Sequence, residues 1–347
     1  MNRQNEITEP IELLDEKGHI TEEGWARHPY WRYDRSRIQA PWHRIKEWDY
    51  YAVISHDGGY GITVTLSDLS YAAVIAVCWL DFNRGTFRQL DTLKLLTRGK
   101  IGFPSSSEEG DLFFSDKTFS IRFTKRQDTR TLFMEAPSFE SPDGDRGLKA
   151  ELALKQFPGD ESMNIATSWE KNRKAFYYNQ KINSMPAEGR VTLGERTFRF
   201  SPEDSFGCLD WGRGHWTYQN RWYWSSLSAR VEGKRFGFNL GYGFSDRTPA
   251  SENVLFHEGR VHKLDEVTFH FDEKDYMKPW RFESNDGRLQ LDFEPVVDRS
   301  GTINLLVFSS FQHQVFGHFS GTVKLDSGET VKLDRVLGFA EDVFNRW

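Results

Sequence analysis

Residues 209–224 read LDWGRGHWTYQNRWYW, setting Asp210, Arg213 and His215 among Trp216, Tyr218, Trp222 and Trp224, with glycines at 212 and 214. Those residue types suit proton transfer beside aromatic walls. An Asp or a His can carry the proton, an Arg can pair with the acid or clamp an anion, and indole faces attract cations. In an extended chain Asp210, Gly212, Gly214, Trp216 and Tyr218 share one face, with a bulge or turn at the glycines as the alternative. The next run, RWYWSSLSARV, sends Trp222, Trp224, Ser226 and Ser228 one way, and KRFGFNLGYGF sets Asn239 on a face of glycines. Such a face accepts close packing or floors a cavity, and in either case Asn239 needs a partner. The loop that follows adds Glu252 and Asn253. Each of these has a plainer reading: Asp210 and Arg213 pair to hold a turn, the tryptophans are core, and Glu252 is solvated.

Other chemistries lack their residues. His313 and His318 fall on opposite faces of a strand, and no Cys/His spacing suits zinc, so no metal is expected. The run SPDGDRG has acids near glycine without the rest of a calcium loop and reads as a turn. Phosphate-binding glycine loops and the glycine-flanked serine of hydrolases are missing, and no cofactor is expected.

The elements that must position these residues are strands. Alternation of period two recurs, as in TFSIRFT and LQLDFEP, and TVKLDSGETVKLD predicts a hairpin around Asp326-Ser327-Gly328. One short helix is expected within Glu161–Asn179. A Pro-Gly interruption at Pro186–Gly189 precedes a fresh hairpin-like run and divides the chain into 1–185 and 186–347, each the size of a small barrel or sandwich. GYGITVTLSD and FGFNLGYGFSD are faintly alike, as duplication would leave them. With 28% charged residues of mixed sign and a net charge of -6, a nucleic-acid surface is not expected. YAAVIAVCWLDF is too short to span a bilayer and reads as a buried strand. Two cysteines and a polar start without a signal-peptide core point to the cytoplasm.

PIELLDEKGHITEEGWARHP, the LDWGRGHW-to-RWYW block, GFNLGYGF, SENVLFHEGRVHKL and the closing QVFGHFSGTVKLDSGE and GFAEDVFNRW together resemble the bacterial domain-of-unknown-function family 2804 over nearly the whole chain. More distantly, FYYNQKI, the GRVTLGERTFRF hairpin and an Asp motif followed by Trp-x-Trp look like the carotenoid hydratases, tocopherol cyclase and other lipocalin-like proteins. The second resemblance implies an all-β chain of two consecutive antiparallel lipocalin-like barrels with a pocket near their interface. It also implies an acid that protonates a carbon–carbon double bond, which maps onto Asp210, with Trp222 and Trp224 as wall. Arg213, His215, Asn239, Glu252 and Asn253 depart from a polyene slot and suit a more polar ligand.

The expected function is a cofactor-independent acid–base enzyme, a hydratase, cyclase, isomerase or lyase, acting on a small, partly apolar molecule. Asp210 is its acid or base, and His215 and Glu252 are further proton carriers. Arg213, Trp216, Tyr218, Trp222, Trp224, Asn239 and Asn253 contact substrate. A glycosidase using Asp210 and Glu252 and a non-catalytic carrier are the alternatives.

Overall fold

The computed structural model describes residues 4–305 and 308–346. Among them the chain is all-β, with two short 3-10 turns at Arg35–Arg37 and Trp42–Arg44 and no α-helix. Two strongly curled antiparallel sheets follow one another. The first has 13 strands and the second 9, beside a 2-stranded parallel ribbon near the start of the chain. No helix is long and apolar enough to cross a membrane.

Each sheet wraps its own core. The first encloses Tyr51, Phe123, Met134, Leu152, Tyr178 and Trp211 among others, and the second encloses Phe236, Phe238, Phe282, Phe293 and Phe319. A third cluster lies between the sheets, where Tyr50, Ala52, Cys78 and Cys208 of the first meet Trp224, Val297, Phe316 and Phe339 of the second. The strand Ser205–His215 is therefore buried at every position, one face in its own barrel and the other against the second sheet. A strand covered on both faces shows no polar-apolar alternation, and its sequence, SFGCLDWGRGH, shows none.

The expected helix is replaced by the strands Met163–Trp169 and Asn172–Leu193, joined by a tight turn and paired antiparallel. Ile165, Thr167 and Trp169 alternate with Asn164, Ala166 and Ser168, so the period of two outweighed the helix formers that follow in EKNRKAF. The Pro186–Gly189 interruption sits inside Asn172–Leu193, where the register against Ser205–His215 shifts between Ile182 and Met185. At this bulge Ser184 takes φ 58° and Asn183 reaches across to the second sheet. Its Nδ2 lies within hydrogen-bond distance of Ser226 Oγ at 2.8 Å and of the carbonyls of Leu227 and Phe238, both at 3.1 Å. Sheet membership changes further along than 185/186, between His215, the last strand residue in the first sheet, and Gln219, the first in the second.

Candidate functional site

Three adjacent strands of the first sheet, Asn172–Leu193, Ser205–His215 and Ile45–Ser55, bring Lys181, Asp210 and Tyr50 into register as one row facing the second sheet. Opposite it, the second sheet lines up Gly241, Trp224, Glu341, Gln314 and Arg299 on five neighbouring strands. Directly opposed residues on paired strands point to one face, so the two rows meet.

Asp210 is buried and its Oδ2 accepts from Lys181 Nζ at 2.8 Å, while Asn179 Nδ2 donates to Oδ1 at 3.3 Å. The Lys181 ammonium also lies 4.1 Å over the Trp224 ring. The Trp224 indole N–H donates to Asn239 Oδ1 at 2.7 Å, and Asn239 Nδ2 donates to the Glu252 backbone carbonyl at 2.9 Å and to its Oε2 at 3.4 Å. Gln314 Nε2 spans the sheets, donating to Tyr50 Oη at 2.9 Å and to Glu341 Oε1 at 2.5 Å. Arg299 joins at the rim, donating to Gln314 Oε1 at 2.5 Å and to Gln89 of the first sheet at 2.8 Å.

The glycines are there to admit neighbours. A Cβ on Gly212 would sit 2.0 Å from the Trp48 ring, and one on Gly241 would sit 2.0 Å from Glu252 Oε1. Trp48 belongs to a nest with Trp169, Tyr177, Trp216, Trp222 and Phe244, in which Trp216 stacks on Phe244 at 5.1 Å. On the other flank of the Asp210 row, Ala52, Cys208, Ser226 and Phe339 border a cavity of about 10 Å³, room for about one water molecule.

Burial shapes the acids. It raises Glu252, with Lys181 opposing and Asp210 reinforcing. Glu341 is pushed up to about 7, again chiefly by loss of water, with Arg299 and Lys181 opposing and Asp210 reinforcing. Both carboxyls therefore hold protons more tightly than an ordinary glutamate, as a proton donor at neutral pH must.

The structure brings Asp210, Glu252, Trp224 and Asn239 together, with Trp222 and Trp216 in the adjoining aromatic nest. The expected Asp210–Arg213 pair does not form, because the two residues point to opposite faces of one strand. Arg213 turns into the first barrel, where it is fully buried, pairs with Asp49 at 3.0 Å and lies 4.0 Å over Trp211. His215 lies five residues from Asp210, roughly 17 Å along an extended strand, and its Nδ1 meets the Lys174 carbonyl at 2.8 Å; burial lowers its pKa. Tyr218 is 41% exposed, under the Arg44 guanidinium. Asn253 braces the loop, accepting from Gly241 N and donating to the Asp265 carbonyl, each at 2.8 Å.

Lys181, Asn179, Tyr50, Gln314 and Glu341 escaped sequence reasoning. FYYNQKI carried a signal, since alternation places Tyr177, Asn179 and Lys181 on one face. Glu341 had only its place between Phe339 and Val343 to mark it. Among the described residues no group of three or more His, Cys, Asp or Glu is arranged to hold a metal ion, and both cysteines are free and buried.

Fold and site define a tandem of two curled antiparallel sheets with a polar row sealed between them. The chain belongs to the family described as a domain of unknown function, DUF2804, whose profile matches residues 4–347. Its fold is similar to that of a Nitrosomonas europaea protein carrying the AttH designation, at 12% identity and a TM-score of 0.51, over 86% of this chain and 92% of that one. It is similar also to kievitone hydratase from Nectria haematococca, at 11% identity and a TM-score of 0.51, over 86% of this chain and 88% of that one. No curated protein matches the sequence.

Proposed function

We propose that this protein is an acid–base enzyme acting on a small, partly apolar molecule held between the two sheets, with side chains alone carrying the protons. The observation that carries this reading is the inter-sheet row itself, where two glutamates with raised pKa values flank Trp224 and face an Asp–Lys pair. Holding acids away from water costs stability, and a row kept only for packing would be better filled with apolar side chains. That a hydratase is built on a similar fold supports the reading.

In this scheme Glu252 or Glu341 gives a proton to a substrate double bond. The face of Trp224 shelters the positive charge that develops, and Asp210, ion-paired with Lys181, takes a proton from water or from the neighbouring carbon. Addition of water gives a hydratase, and attack by an internal nucleophile gives a cyclase. Protons balance, one given and one taken.

The test is Asp210→Asn beside Glu252→Gln in a screen of alkene-bearing compounds for hydration or cyclisation, with thermal melting of each variant. The expected result is turnover lower by about 10²-fold or more with the fold retained. Unchanged binding with no turnover in any variant or in the parent protein would mark a carrier, and unfolding of Asp210→Asn would assign the pair with Lys181 to structure.

A further inference from the structure

We infer that the protein docks on anionic membrane surfaces through one corner of the first sheet, where Trp42, Leu93, Leu95 and Leu96 meet Arg98 and Lys100. This goes beyond the enzyme reading and stands on that corner alone. Eight large apolar side chains are exposed among the described residues, and four of them lie here, with Leu93, Leu95 and Leu96 exposed by 57%, 71% and 59%. Apolar side chains gathered in one place mark contact with another body, whereas scattered ones need no explanation.

Leu93 and Leu95 share one face of Thr86–Leu95, the strand at the edge of the 13-stranded sheet. The chain then turns through Leu96 and Arg98, both left-handed at φ 56° and 54°, and reaches Gly99 at 81°. That region suits glycine or asparagine, and two larger side chains held in it within three residues cost stability. The turn is nevertheless firmly anchored from below. Buried Asp68 accepts from the Thr97 hydroxyl at 2.6 Å and from Ser70 N at 2.7 Å, while Leu96 N and Arg98 N donate to the carbonyls of Tyr71 and Ser70, each at 2.7 Å. The Arg98 guanidinium lies 4.9 Å over the Trp42 ring, which joins the 3-10 turn Trp42–Arg44 to the same surface. A turn kept only for its shape is better made with Asn or Gly, so the exposed Leu96 and Arg98 are there for their side chains.

The charge at this corner selects the occupant. From Arg35 to Lys46 and from Leu93 to Ile101 the chain carries seven cations and no acid, although the net charge of the whole is -6. Arg35, Arg37 and Lys94 are paired with Glu47, Glu12 and Asp116, and Lys46 is buried. Arg98 and Lys100 stay exposed beside the leucines, with Asp91 two residues before Leu93 on the same strand face. Further along the loop, Glu108 and Asp111 are paired with Arg130 and Arg126. Leucines that enter the acyl boundary, an indole at headgroup level and cations beside them for the phosphates together seat a protein on an anionic bilayer. A second copy suits the corner poorly, because a two-fold contact would bring the Arg98 and Lys100 of both copies together. The rest of the molecule, being net negative, is repelled by such a membrane, so docking takes one orientation.

Co-sedimentation of the full chain tests this, with vesicles of phosphatidylcholine containing about one third phosphatidylglycerol and with vesicles of phosphatidylcholine alone, in about 0.1 M salt. Binding is expected on the anionic vesicles and should be at least about tenfold weaker on the neutral ones. Leu95→Ser combined with Leu96→Asn should weaken it by about tenfold or more. Because Asn suits the left-handed position, that variant should keep its melting temperature, which separates lost docking from lost fold. Arg98→Gln combined with Lys100→Gln should weaken binding by about tenfold, while Met277→Ser, at an exposed apolar side chain elsewhere, leaves it unchanged. In a second readout that needs no leucine variant, brominated acyl chains should quench tryptophan emission in the parent protein and quench it less in Trp42→Phe. Absence of binding to the anionic vesicles overturns the inference, as does equal binding to the neutral ones, full binding by the leucine variant, or quenching that survives Trp42→Phe undiminished. A dimer in solution that the leucine variant breaks apart would also overturn it and make the corner a contact between copies.

Discussion

Arg213 lies 4.0 Å over Trp211 inside the first barrel, and Lys181 lies 4.1 Å over Trp224 between the sheets. Trp211 and Arg213 share the strand that carries Asp210, yet the two cation–tryptophan pairs sit in opposite kinds of surroundings. In the barrel, Arg213 spends its donors on Asp49 and on the carbonyls of Trp48, Gly212 and Pro104. Glu47 beside it accepts from Arg35 and from the Tyr33 hydroxyl. Charge there is matched by charge. Between the sheets, Glu252 and Glu341 take their direct hydrogen bonds from neutral amides, and the cations that act on them, Lys181 with Lys263 and Lys181 with Arg299, do so without a direct bond. Matched burial holds a structure together, whereas unmatched burial stores a capacity to bind charge or move protons.

The largest effect should come from breaking the matched side. Arg213→Met leaves Asp49 buried without its guanidinium and Glu47 with one cation fewer, and removing one partner of a buried pair typically costs about 3–5 kcal/mol. Urea unfolding should show a loss of this size. A loss under about 1 kcal/mol would mean that the barrel cluster is no more structural than the inter-sheet row.

Glu341 sharpens the unmatched side through pH. Its folded pKa, raised from 4.5 to about 7, lies above the unfolded value, so the folded chain binds more protons between the two. Stability then falls as pH rises through that window, is unaffected by this group below it, and stays lowered above it. The shift corresponds to an upper limit of about 3 kcal/mol, reduced to the extent that solvent screens the exposed edge of the carboxyl. Glu341→Gln should therefore match the parent protein at pH 4 and exceed it at pH 8, as read by chemical denaturation at each pH. A variant less stable than the parent at pH 8 would show that Glu341 is held in place by its partners rather than strained by burial.

Much of this contrast was written in the sequence, but not all of it. Alternation in RWYWSSLSARV and KRFGFNLGYGF put Trp224 and Asn239 on the facing sides of neighbouring strands, and there they meet. The glycines of WGRG marked close approach, although the approaching ring, Trp48, is far away in the chain. Period two also separates Asp210 from Arg213, three positions apart, but their short spacing in the chain suggested a turn and a pair. What stayed hidden were partners set by sheet order. Lys181 reaches Asp210 because two strands happen to be neighbours, and Glu341 lines up with Trp224 through a register that only the finished sheet fixes.

The smallest expected effect separates the two tryptophans themselves. The Trp224 N–H is donated to Asn239 Oδ1 at 2.7 Å, whereas the Trp211 N–H is buried with no partner among the described residues. Replacing either ring with Phe removes similar apolar volume and keeps an aromatic face for the cation above it. At position 211 nothing further is lost, and an unpaired donor disappears. At position 224 the buried Asn239 Oδ1 loses its donor, and Asn239 is also what holds the Glu252 carbonyl and carboxylate. An acceptor stranded in this way costs about 1–3 kcal/mol, so Trp224→Phe should cost about 1–2 kcal/mol more than Trp211→Phe in denaturant unfolding. In an Asn239→Leu background, where no acceptor remains to be stranded, the two replacements should cost the same. If the difference persists there, it comes from packing between the sheets, and Asn239 does not set the position of Trp224 beneath Lys181.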